Sequence, residues 1–436
     1  MQGVLNPLAT PLLLFFRTGG RIVSAMRNVL LLVLILVAGS RNMLAGAQHV
    51  VTGTGVARVD VAAVQAAVDH GGQVILVGHF SFDAPPNKPA GATYSRMVTV
   101  SKQVVISGYR DEHGDMPVIV GGFFPFFIDG PNSRVSIRGL RFVRPKGGAI
   151  WNYAVHGLVI TNCRIEGVQP SAELGGYADM LHPVAAAIFL GSNPVPPRAG
   201  LAEHSENNSG VLSILDNDIN VGGADLDMTL GICVFGVGKS PDKKADLNIS
   251  GNKIKNITER AINVNQVDGR ARIDRNVVAT GLIAGPSNGI QPDVIHAAGS
   301  GRYFIAHNSI ASEWATGAGI RVQGSAWSPE ANAIVVDNDI AMSAPELTIF
   351  RANSAGIEIR GLAQSNAVRN NRIRGRARTA LAVVVQNGQI PVKNTFLSND
   401  LRGFQASLTS VFVDGSVTKT VIDGHKAQDD DPRGRK

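Results

Sequence analysis

The sequence has little of what builds most other protein classes. Charged residues make up only 17% of its 436 residues and aromatic residues only 6%, and there are just two cysteines. A chain with so few charges is not typical of a disordered protein, and the composition does not favour a helical bundle. Glycine, by contrast, is abundant, with 49 residues. This composition favours many short strands joined by tight turns.

An asparagine recurs along the second half of the chain in one constant setting. An apolar residue stands three positions before it and another stands two positions after it, as in I-L-D-N-D-I around Asn217. The positions are Asn217, Asn252, Asn276, Asn308, Asn338, Asn371 and Asn399. The same frame extends backwards with Cys163 and Leu140 in the asparagine slot. An irregular repeat of this length indicates a solenoid, and the intervals are too short for propeller blades of about 40 to 50 residues.

Each repeat contains a second pattern, in which a small residue precedes alternating apolar positions. Examples are G-I-C-V-F-G at 231–236, G-I-Q-P-D at 289–293, G-I-R-V-Q-G at 319–324 and G-I-E-I-R-G at 356–361. A period of two indicates strands with one side chain inside and the next outside. Stacking such coils about 4.8 Å apart would place the asparagines in an internal ladder of amide hydrogen bonds. Cys163 lies in a turn and Cys233 on a strand of another column, so no disulfide is expected between them.

A short amphipathic segment precedes the first strand. Residues 60–69 place Val61, Val64, Ala67 and Val68 on one face, with Asp60 as the expected N-cap. Residues 73–77 follow as a buried strand. We expect the helix to cover the open end of the solenoid, where bare strand edges would otherwise pair with other chains.

These patterns resemble the right-handed parallel β-helix proteins of the pectin-lyase-like superfamily. The resemblance is carried by the segment V-Q-A-A-V-D-H-G-G-Q-V-I-L from Val64, by the I-T-N-C-R-I turn at 160–165 and by the asparagine turns. It implies an all-β, right-handed parallel β-helix of roughly ten coils with a short N-terminal capping helix, and the handedness also follows from the strand-crossover rule. The superfamily includes lyases, hydrolases, epimerases and non-enzymatic proteins, so the resemblance predicts fold rather than activity.

The N-terminus has the three zones of a secretory signal. Met26-Arg27-Asn28 precedes an apolar run from Val29 to Gly39, and Ala45-Gly46-Ala47 forms a small-residue cleavage site. We therefore predict a leader over residues 1–47, with Met26 as an alternative start and an uncleaved anchor as the other interpretation. A single β-helix domain over 48–425 and a disordered charged tail over 426–436 follow. Cleavage would remove four arginines and no acid, so the formal charge of +7 would fall to +3. The mature protein is expected to be periplasmic or extracellular, monomeric and without nucleic acid or membrane insertion.

Two outward columns of side chains can be aligned from the strand pattern. One column contains Phe189, Cys233, Asn263, Gln291, Arg321, Glu358 and Ala382. The next contains Gly191, Phe235, Asn265, Asp293, Gln323, Arg360 and Val384. Four successive coils are polar, and long loops are expected before these strands (168–183, 220–230, 279–288, 341–354) and after them (192–210, 236–246, 294–302, 324–331). Loops on both borders of one strand face predict a groove with this polar patch as its floor.

Two chemistries fit the patch, and a third interpretation is structural. In β-elimination of a uronate, Arg321 or Arg360 would be base or clamp, and Asn263, Asn265 and Gln291 would be donors. In hydrolysis, Asp293 and Glu358 would be the two carboxylates, about 9 to 10 Å apart. Alternatively, Arg321, Glu358 and Arg360 form a charge ladder that supports the stack. Gln323 and His296 are further candidates for substrate binding.

Other candidate residues flank this patch. His182 and His204, with nearby acids, occupy the loops around Phe189, and Trp151 and Tyr153 could stack on a sugar ring. No metal-ligand spacing is present, so no cofactor is predicted; calcium is conceivable but has no motif. The W-I-D-H, N-T-D, G-H-G, R-I-K and D-P-H signatures of known superfamily enzymes are missing from the sequence.

The functional hypothesis is a protein that binds a polysaccharide in a loop-walled groove and, if it is an enzyme, cleaves it as a lyase or glycoside hydrolase. The alternative is a non-catalytic envelope or surface solenoid that acts as a spacer or adhesive. A periplasmic metal-handling role is disfavoured by the shortage of Cys, Met and clustered His.

Overall fold

The computed structural model describes residues 48–87, 95–169, 184–191, 208–222, 228–238, 244–257, 259–280, 293–313, 317–324, 331–343, 354–417 and 419–423. The predicted leader (1–47) and tail (426–436) lie outside these residues. Residues His49–Lys436 group into one compact unit, whereas the predicted domain limits at 48 and 425 stay predictions.

The chain passes through up to three strands per coil, which we call A, B and C strands. The A strands are β4 (Val98–Val100), the first parts of β7 (Phe126–Arg138) and β9 (Ile150–Thr161), β11 (Val184–Gly191), β14 (Met228–Val237), β17 (Ile262–Val267), β20 (Ile295–Ala298), β23 (Ala318–Gly324), β26 (Ala355–Gly361), β29 (Thr379–Val384) and β32 (Val411–Val413). Each pairs in parallel with the A strand of the next coil, for example β17 with β20 and β20 with β23.

The B strands follow the A strands around a corner. They are β1 (Gln48–Thr52), β2 (Gly72–Val77), β5 (Val104–Gly108), the later parts of β7 and β9, β12 (Gly210–Leu215), β15 (Ala245–Ser250), β18 (Gly269–Asp274), β21 (Gly301–Ala306), β24 (Ala331–Val336), β27 (Ala367–Arg369), β30 (Thr395–Leu397) and β33 (Val421–Asp423). A and B strands together form one 22-stranded sheet.

The C strands form a separate 11-stranded sheet. They are β3 (His79–Ser81), β6 (Val118–Val120), β8 (Arg141–Val143), β10 (Arg164–Glu166), β13 (Asp218–Asn220), β16 (Lys253–Lys255), β19 (Val277–Ala279), β22 (Ser309–Ser312), β25 (Asp339–Ser343), β28 (Arg372–Ala377) and β31 (Phe404–Ala406). They also pair in parallel from coil to coil. The chain is therefore a parallel β-helix, as predicted; the number of about ten coils stays a prediction.

Two separate apolar clusters stabilise the coils. The larger one fills the inside of the helix with the inward residues of all three strand series, such as Ile249, Ile273 and Ile305, which are fully buried. The smaller one lies on the outer face of the A strands and contains Phe124, Phe127, Trp151, Phe189 and Cys233 among others. The outer face of the N-terminal coils is thus itself a packed layer.

The asparagine ladder exists at the corner between B and C strands. In each step, Oδ1 of one asparagine accepts hydrogen bonds from the backbone N and from Nδ2 of the preceding one, as between Asn252 and Asn276 (3.1 and 2.9 Å). The steps run from Asn217 to Asn399, and Cys163 N donates to Asn217 Oδ1 at its start. Buried backbone groups at this corner are satisfied by amides rather than water. The ladder is structural, as the sequence indicated.

The left-handed backbone at this corner belongs to the residue before each ladder position. Asp216, Arg275, His307 and Asp337 have φ between 53° and 56°, and Gly251 has φ 70°. The ladder asparagines themselves do not have positive φ. The asparagine is instead used for its amide, and the preceding residue makes the sharp turn.

A second, shorter ladder lies at the corner between A and B strands. Asn366 Nδ2 donates to Asn394 Oδ1 (2.8 Å), and Ala333 N donates to Asn366 Oδ1 (2.7 Å). Both asparagines are buried. Their frame is weaker, with Ala363 and Val368 around Asn366 and with Pro391 and Phe396 around Asn394, and the repeat pattern did not reveal them.

The helix α1 (Ala57–His70) begins earlier than predicted. Val56 is its N-cap, and Asp60 lies within the first turn, where its carboxylate accepts hydrogen bonds from Thr54 N and Ser81 N (both 2.8 Å). Gln65 exchanges two hydrogen bonds with the backbone of Thr99 on β4, as a neighbouring strand would. The capping role of α1 stays a prediction. Over the described part of the chain, no helix is long and apolar enough to cross a bilayer.

Candidate functional site

One continuous column runs along the outer face of the A strands. Strand register brings together Phe127, Trp151, Phe189, Cys233, Asn263, His296, Arg321, Glu358, Ala382 and Phe412. The neighbouring column contains Gly191, Phe235, Asn265, Ala298, Gln323, Arg360 and Val384. Both predicted columns are confirmed except in one coil.

The exception is the coil that was aligned on residues 289–293. The A strand there is β20, so His296 occupies the position predicted for Gln291, and Ala298 occupies the one predicted for Asp293. The sequence alignment took Gly289-Ile290 as the start of this strand. That would place Pro292 in a central strand, where its missing N–H could not donate to the neighbouring strand. Ile295 and Ala297, by contrast, supply the buried inward residues of this coil. Gln291 lies outside the described residues.

The predicted loops are only partly described. Residues 294–302, expected to be a loop, contain β20 and the start of β21. Most residues of the other predicted loops lie outside the described ranges, as do His182 and His204.

The polar members of the first column are buried although they point outward. Asn263 is fully buried, and His296, Arg321 and Glu358 are 6%, 2% and 2% exposed. The accessible side is the neighbouring column, in which Asn265, Gln323 and Arg360 are partly exposed. A ligand would therefore meet Asn265, Gln323 and Arg360 first.

Arg321 is the centre of a network of buried charges. Its Nη1 donates to Asp293 Oδ2 (2.6 Å), and its Nε and Nη2 donate to the two oxygens of Glu358 (3.1 and 3.3 Å). Asp293 also accepts from Ala318 N (2.9 Å), and Arg360 Nε forms an ion pair with Glu358 Oε1. Three of the five N–H donors of Arg321 are thus directed at two buried carboxylates. This is the geometry of an ion-pair ladder between coils, and a role of Arg321 as base stays a prediction.

Two further charges join this network, and sequence reasoning missed them. Glu259 and Arg260 precede β17; Arg260 lies 3.2 Å from Glu259 and 3.9 Å from Asp293. Burial raises the pKa of Glu259, against the opposing effect of Arg260. The signal was the charged pair in T-E-R directly before A-I-N-V, which is unusual beside a buried strand. We call Glu259, Arg260, Asp293, Arg321, Glu358 and Arg360 the charged cluster; its three acids balance its three arginines.

Burial also shifts the pKa of two further members of the charged cluster, Asp293 and Arg360. It raises the pKa of Asp293 against the attraction of Arg321 and Arg260, and it lowers the pKa of Arg360, where Arg321 adds repulsion. Both predicted carboxylates of a hydrolase, Asp293 and Glu358, bind the same guanidinium. Neither is free to serve as a general acid, so the hydrolase geometry does not fit.

His296 has no charged partner in hydrogen-bond contact among the described residues. Its Nδ1 lies 3.0 Å from Asn263 Oδ1, which also accepts from Asn265 Nδ2 (3.2 Å). That oxygen only accepts, and Nε2 lies 3.3 Å from a second acceptor, Gln323 Oε1. A neutral ring carries one hydrogen and can donate to only one of the two oxygens. We assign the hydrogen to Nδ1 and give the Gln323 amide a half-turn, so that Gln323 donates to Nε2.

The surroundings keep His296 neutral. Burial lowers its pKa well below the ordinary value, and the positive charges of Arg260, Arg321 and Arg360 lower it further. A neutral imidazole with an unprotonated Nε2, oriented through its other nitrogen, is what a general base requires. Sequence reasoning had assigned His296 only to substrate binding.

The N-terminal coils continue the column as an aromatic surface. Trp151 packs edge-on against Phe127 (4.7 Å between ring centroids) and donates from Nε1 to Gly191 O (2.9 Å). Phe189 is fully buried, and Tyr153 is partly exposed. Trp151 and Phe189 therefore close these coils rather than offering a free sugar platform, whereas Tyr153 stays accessible.

Neither of the two cysteines is positioned as a reactive thiol. Cys163 and Cys233 are free and buried, and burial raises the pKa of both thiols to about 12. Asn263 Nδ2 points to Cys233 Sγ (3.5 Å). Within the described ranges, no group of three or more His, Cys, Asp and Glu side chains is arranged to hold a metal ion.

Comparisons with known proteins find likeness only at the level of structure. No protein-family model and no curated protein matches the sequence. Among solved structures, the A-module of the Azotobacter vinelandii mannuronan C-5 epimerase AlgE6 is 13% identical, with a TM-score of 0.35 over 88% of this chain and 98% of its own. A PL6 alginate lyase in complex with a trisaccharide is 11% identical, with a TM-score of 0.44 over 88% and 90%. DFA-IIIase from Arthrobacter chlorophenolicus A6 is 10% identical, with a TM-score of 0.36 over 88% and 94%. At these values the β-helix assignment rests on the parallel register of this chain's own strands.

Proposed function

We propose that the protein binds a polysaccharide along the outer face of its A strands and removes a proton from a uronate residue of that chain. The observation that carries this proposal is His296, a buried imidazole whose Nδ1 contacts Asn263 and whose Nε2 contacts Gln323 of the accessible column. Burial lowers its pKa well below the ordinary value, which favours the neutral ring. Proton abstraction beside a carboxylate is the chemistry in which a single neutral base surrounded by cations is useful.

Each step of this chemistry has a residue within the site. Arg360, partly exposed, would bind the substrate carboxylate and lower the energy of the carbanion that forms beside it. Asn265 and Gln323 would donate hydrogen bonds to the oxygen on which charge develops. His296 Nε2 would take the proton; the neighbouring glycosidic bond then breaks, its oxygen takes a proton from solvent and a C=C bond remains in the sugar ring.

Elimination is favoured over hydrolysis by the state of the carboxylates. Hydrolysis needs one carboxyl group that gives a proton and a second that acts as base or nucleophile. Asp293 and Glu358 both bind Arg321. A lyase-type reaction uses neither of them directly and leaves the charged cluster intact.

The decisive experiment compares His296→Gln with a control histidine. The mature protein is incubated with polymannuronate, polyguluronate, polygalacturonate and a neutral glucan, and unsaturated ends are followed by ultraviolet absorbance. We expect release from at least one polyuronate and a loss of at least 100-fold in His296→Gln. His113→Gln changes a histidine whose side chain is 76% exposed and should retain full activity. Full activity in His296→Gln would rule out this base.

The alternative function is a non-catalytic envelope or adhesive solenoid, and one observation favours it. Arg321 forms ion pairs with both Asp293 and Glu358, as expected of an ion-pair ladder that holds coils together. This alternative predicts no unsaturated and no reducing ends from any polymer, and it predicts that His296→Gln leaves glycan binding unchanged.

Export to the periplasm or cell exterior is part of the proposal. It is supported by the cationic start, short apolar run and small-residue site between Met26 and Ala47. Mass measurement of the protein recovered from the exported fraction tests it: we expect a chain that begins at Gln48.

A further inference from the structure

A second groove lies on the outer face of the B strands, around the corner from His296. Its first column runs Asp246, Arg270, Arg302 and Asn332 in register, and its second runs Asn248, Arg272, Phe304 and Ile334. The groove consists of two adjoining cavities. One, of about 540 Å³, is lined by both columns, and the other, of about 1020 Å³, is lined by the first column and extends to the corner residues Lys244 and Lys393. We call the two together the B groove. It shares no lining residue with the charged cluster.

The B groove is rich in positive charge. Its lining contains five cations, Lys244, Arg270, Arg272, Arg302 and Lys393, and two acids, Asp246 and Asp268. Arg270 donates to both oxygens of Asp246 (3.1 and 3.0 Å), and Arg272 donates to Asp274 below it.

Three of these cations have no such partner. Lys244, Arg302 and Lys393 are exposed and form no ion pair with any other described residue. An elongated groove with unpaired cations attracts a polymer with negative charges along its length.

An apolar strip accompanies the charges. Phe304 is half-buried, Ile334 is 38% exposed and Val211 is 60% exposed. The Arg272 guanidinium lies over the Phe304 ring, 5.3 Å from its centroid. The C–H face of a pyranose ring packs well against such a surface. Of the two aromatic residues that line the described groove, Tyr303 is only 2% exposed, so Phe304 alone could stack and stacking of successive nucleic-acid bases has little support.

We propose that the B groove binds an acidic polysaccharide, a chain of sugars with carboxylates along one edge. Coils repeat about every 4.8 Å, comparable with one sugar residue, so cations of successive coils can meet carboxylates of successive sugars while Phe304 and Ile334 contact the ring faces. This binding is independent of the chemistry at His296, and each proposal can fail without the other.

The test is a binding titration with polyuronate at low and moderate salt. The triple variant Lys244→Ala, Arg302→Ala, Lys393→Ala should bind polymannuronate or polygalacturonate about tenfold more weakly at low salt, with a shallower dependence of log Kd on log salt. A matched triple variant, Lys102→Ala, Lys253→Ala, Lys255→Ala, removes three exposed cations away from the groove and should bind like the native protein.

Several results would overturn the proposal. These are native affinity in the B-groove triple variant, equal losses in both triple variants, equal affinity for a neutral glucan, or tighter binding of duplex DNA than of polyuronate. Phe304→Ala is a further check and should weaken polyuronate binding without changing its salt dependence. In His296→Gln the B groove should keep its affinity, so loss of catalysis there leaves this proposal standing.

Discussion

The outer faces of the A and B strands both carry rows of arginines and acids, yet they hold them in opposite ways. On the A face, the side chain of Arg321 is only 3% exposed, and the carboxylate side chains of Asp293 and Glu358 that it contacts are 0% and 2% exposed. On the B face, Arg270 is 73% exposed and contacts one carboxylate, Asp246, that is 50% exposed. The two faces share the same strand register and the same coil spacing. The difference lies in how far water has been removed.

That difference separates what each face can do. Buried charges interact strongly but must all be paired, so the A face is rigid and can shift the pKa of a neighbour such as His296. Exposed charges interact weakly, exchange partners readily and depend on salt. This is why we propose chemistry on one sugar at the A face and the binding of a long polymer at the B face.

The largest expected effect is on stability, and it comes from removing one ion-paired arginine from each face in turn. Arg321→Ala leaves Asp293 and Glu358 buried without their main partner, and we expect a loss of about 3–5 kcal/mol in the free energy of unfolding. Arg270→Ala exposes nothing that was buried, so we expect a loss of no more than about 1 kcal/mol. Urea unfolding of both variants measures the difference. If the two variants lose similar amounts of unfolding free energy, burial does not make the ion pairs of the A face stronger than those of the B face.

Sequence reasoning predicted the coil path because the main ladder asparagines stand in a constant apolar frame. It aligned six of seven coils on the A face correctly for the same reason. It misplaced the coil of His296 because Gly289-Ile290 imitates a strand start, and only pairing with Asn263 and Arg321 shows where the strand lies. Burial was not readable either. Alternation shows that Arg321 points outward but not that water is excluded there. The sequence therefore indicated a charge ladder with Glu358 and Arg360, but not the burial of that ladder or the second carboxylate, Asp293, that Arg321 contacts.

An effect of intermediate size is expected in the pH dependence of stability, which should differ between the buried His296 and the exposed charges of the B face. The pKa of His296 in the folded protein lies well below 6.5. Below pH 6.5, this histidine therefore becomes protonated in the unfolded chain while it stays neutral in the folded protein. Acidification therefore destabilises the native protein relative to His296→Gln, by up to about 1.4 kcal/mol per pH unit until the folded pKa is reached. Asp293 and Glu259 also make the free energy of unfolding depend on pH, but they are present in both proteins, so their effect cancels to first order in the difference.

The measurement is the difference in unfolding free energy between native protein and His296→Gln at pH 7.5, 6.5 and 5.5. The difference should be constant above pH 6.5 and should shift in favour of the variant below it. Arg270→Ala, on the face without a buried histidine, should keep the pH dependence of the native protein. A constant difference between native and His296→Gln at all three pH values would mean that His296 is not held neutral.

The smallest effect concerns one exposed acid on the B face. Asp246→Asn frees Arg270 and removes a negative charge from the B groove, so polyuronate affinity at low salt should rise about two- to fivefold with almost no change in stability. Asp339→Asn is its matched control, because Asp339 binds Arg374 on the C strands through the same two-point contact (both 3.2 Å) and the change in net charge is identical. If Asp339→Asn raises the affinity equally, the attraction comes from the net charge of the whole protein. If only Asp246→Asn raises it, the polymer is held where the groove places it, and the comparison between the two faces extends from stability to binding.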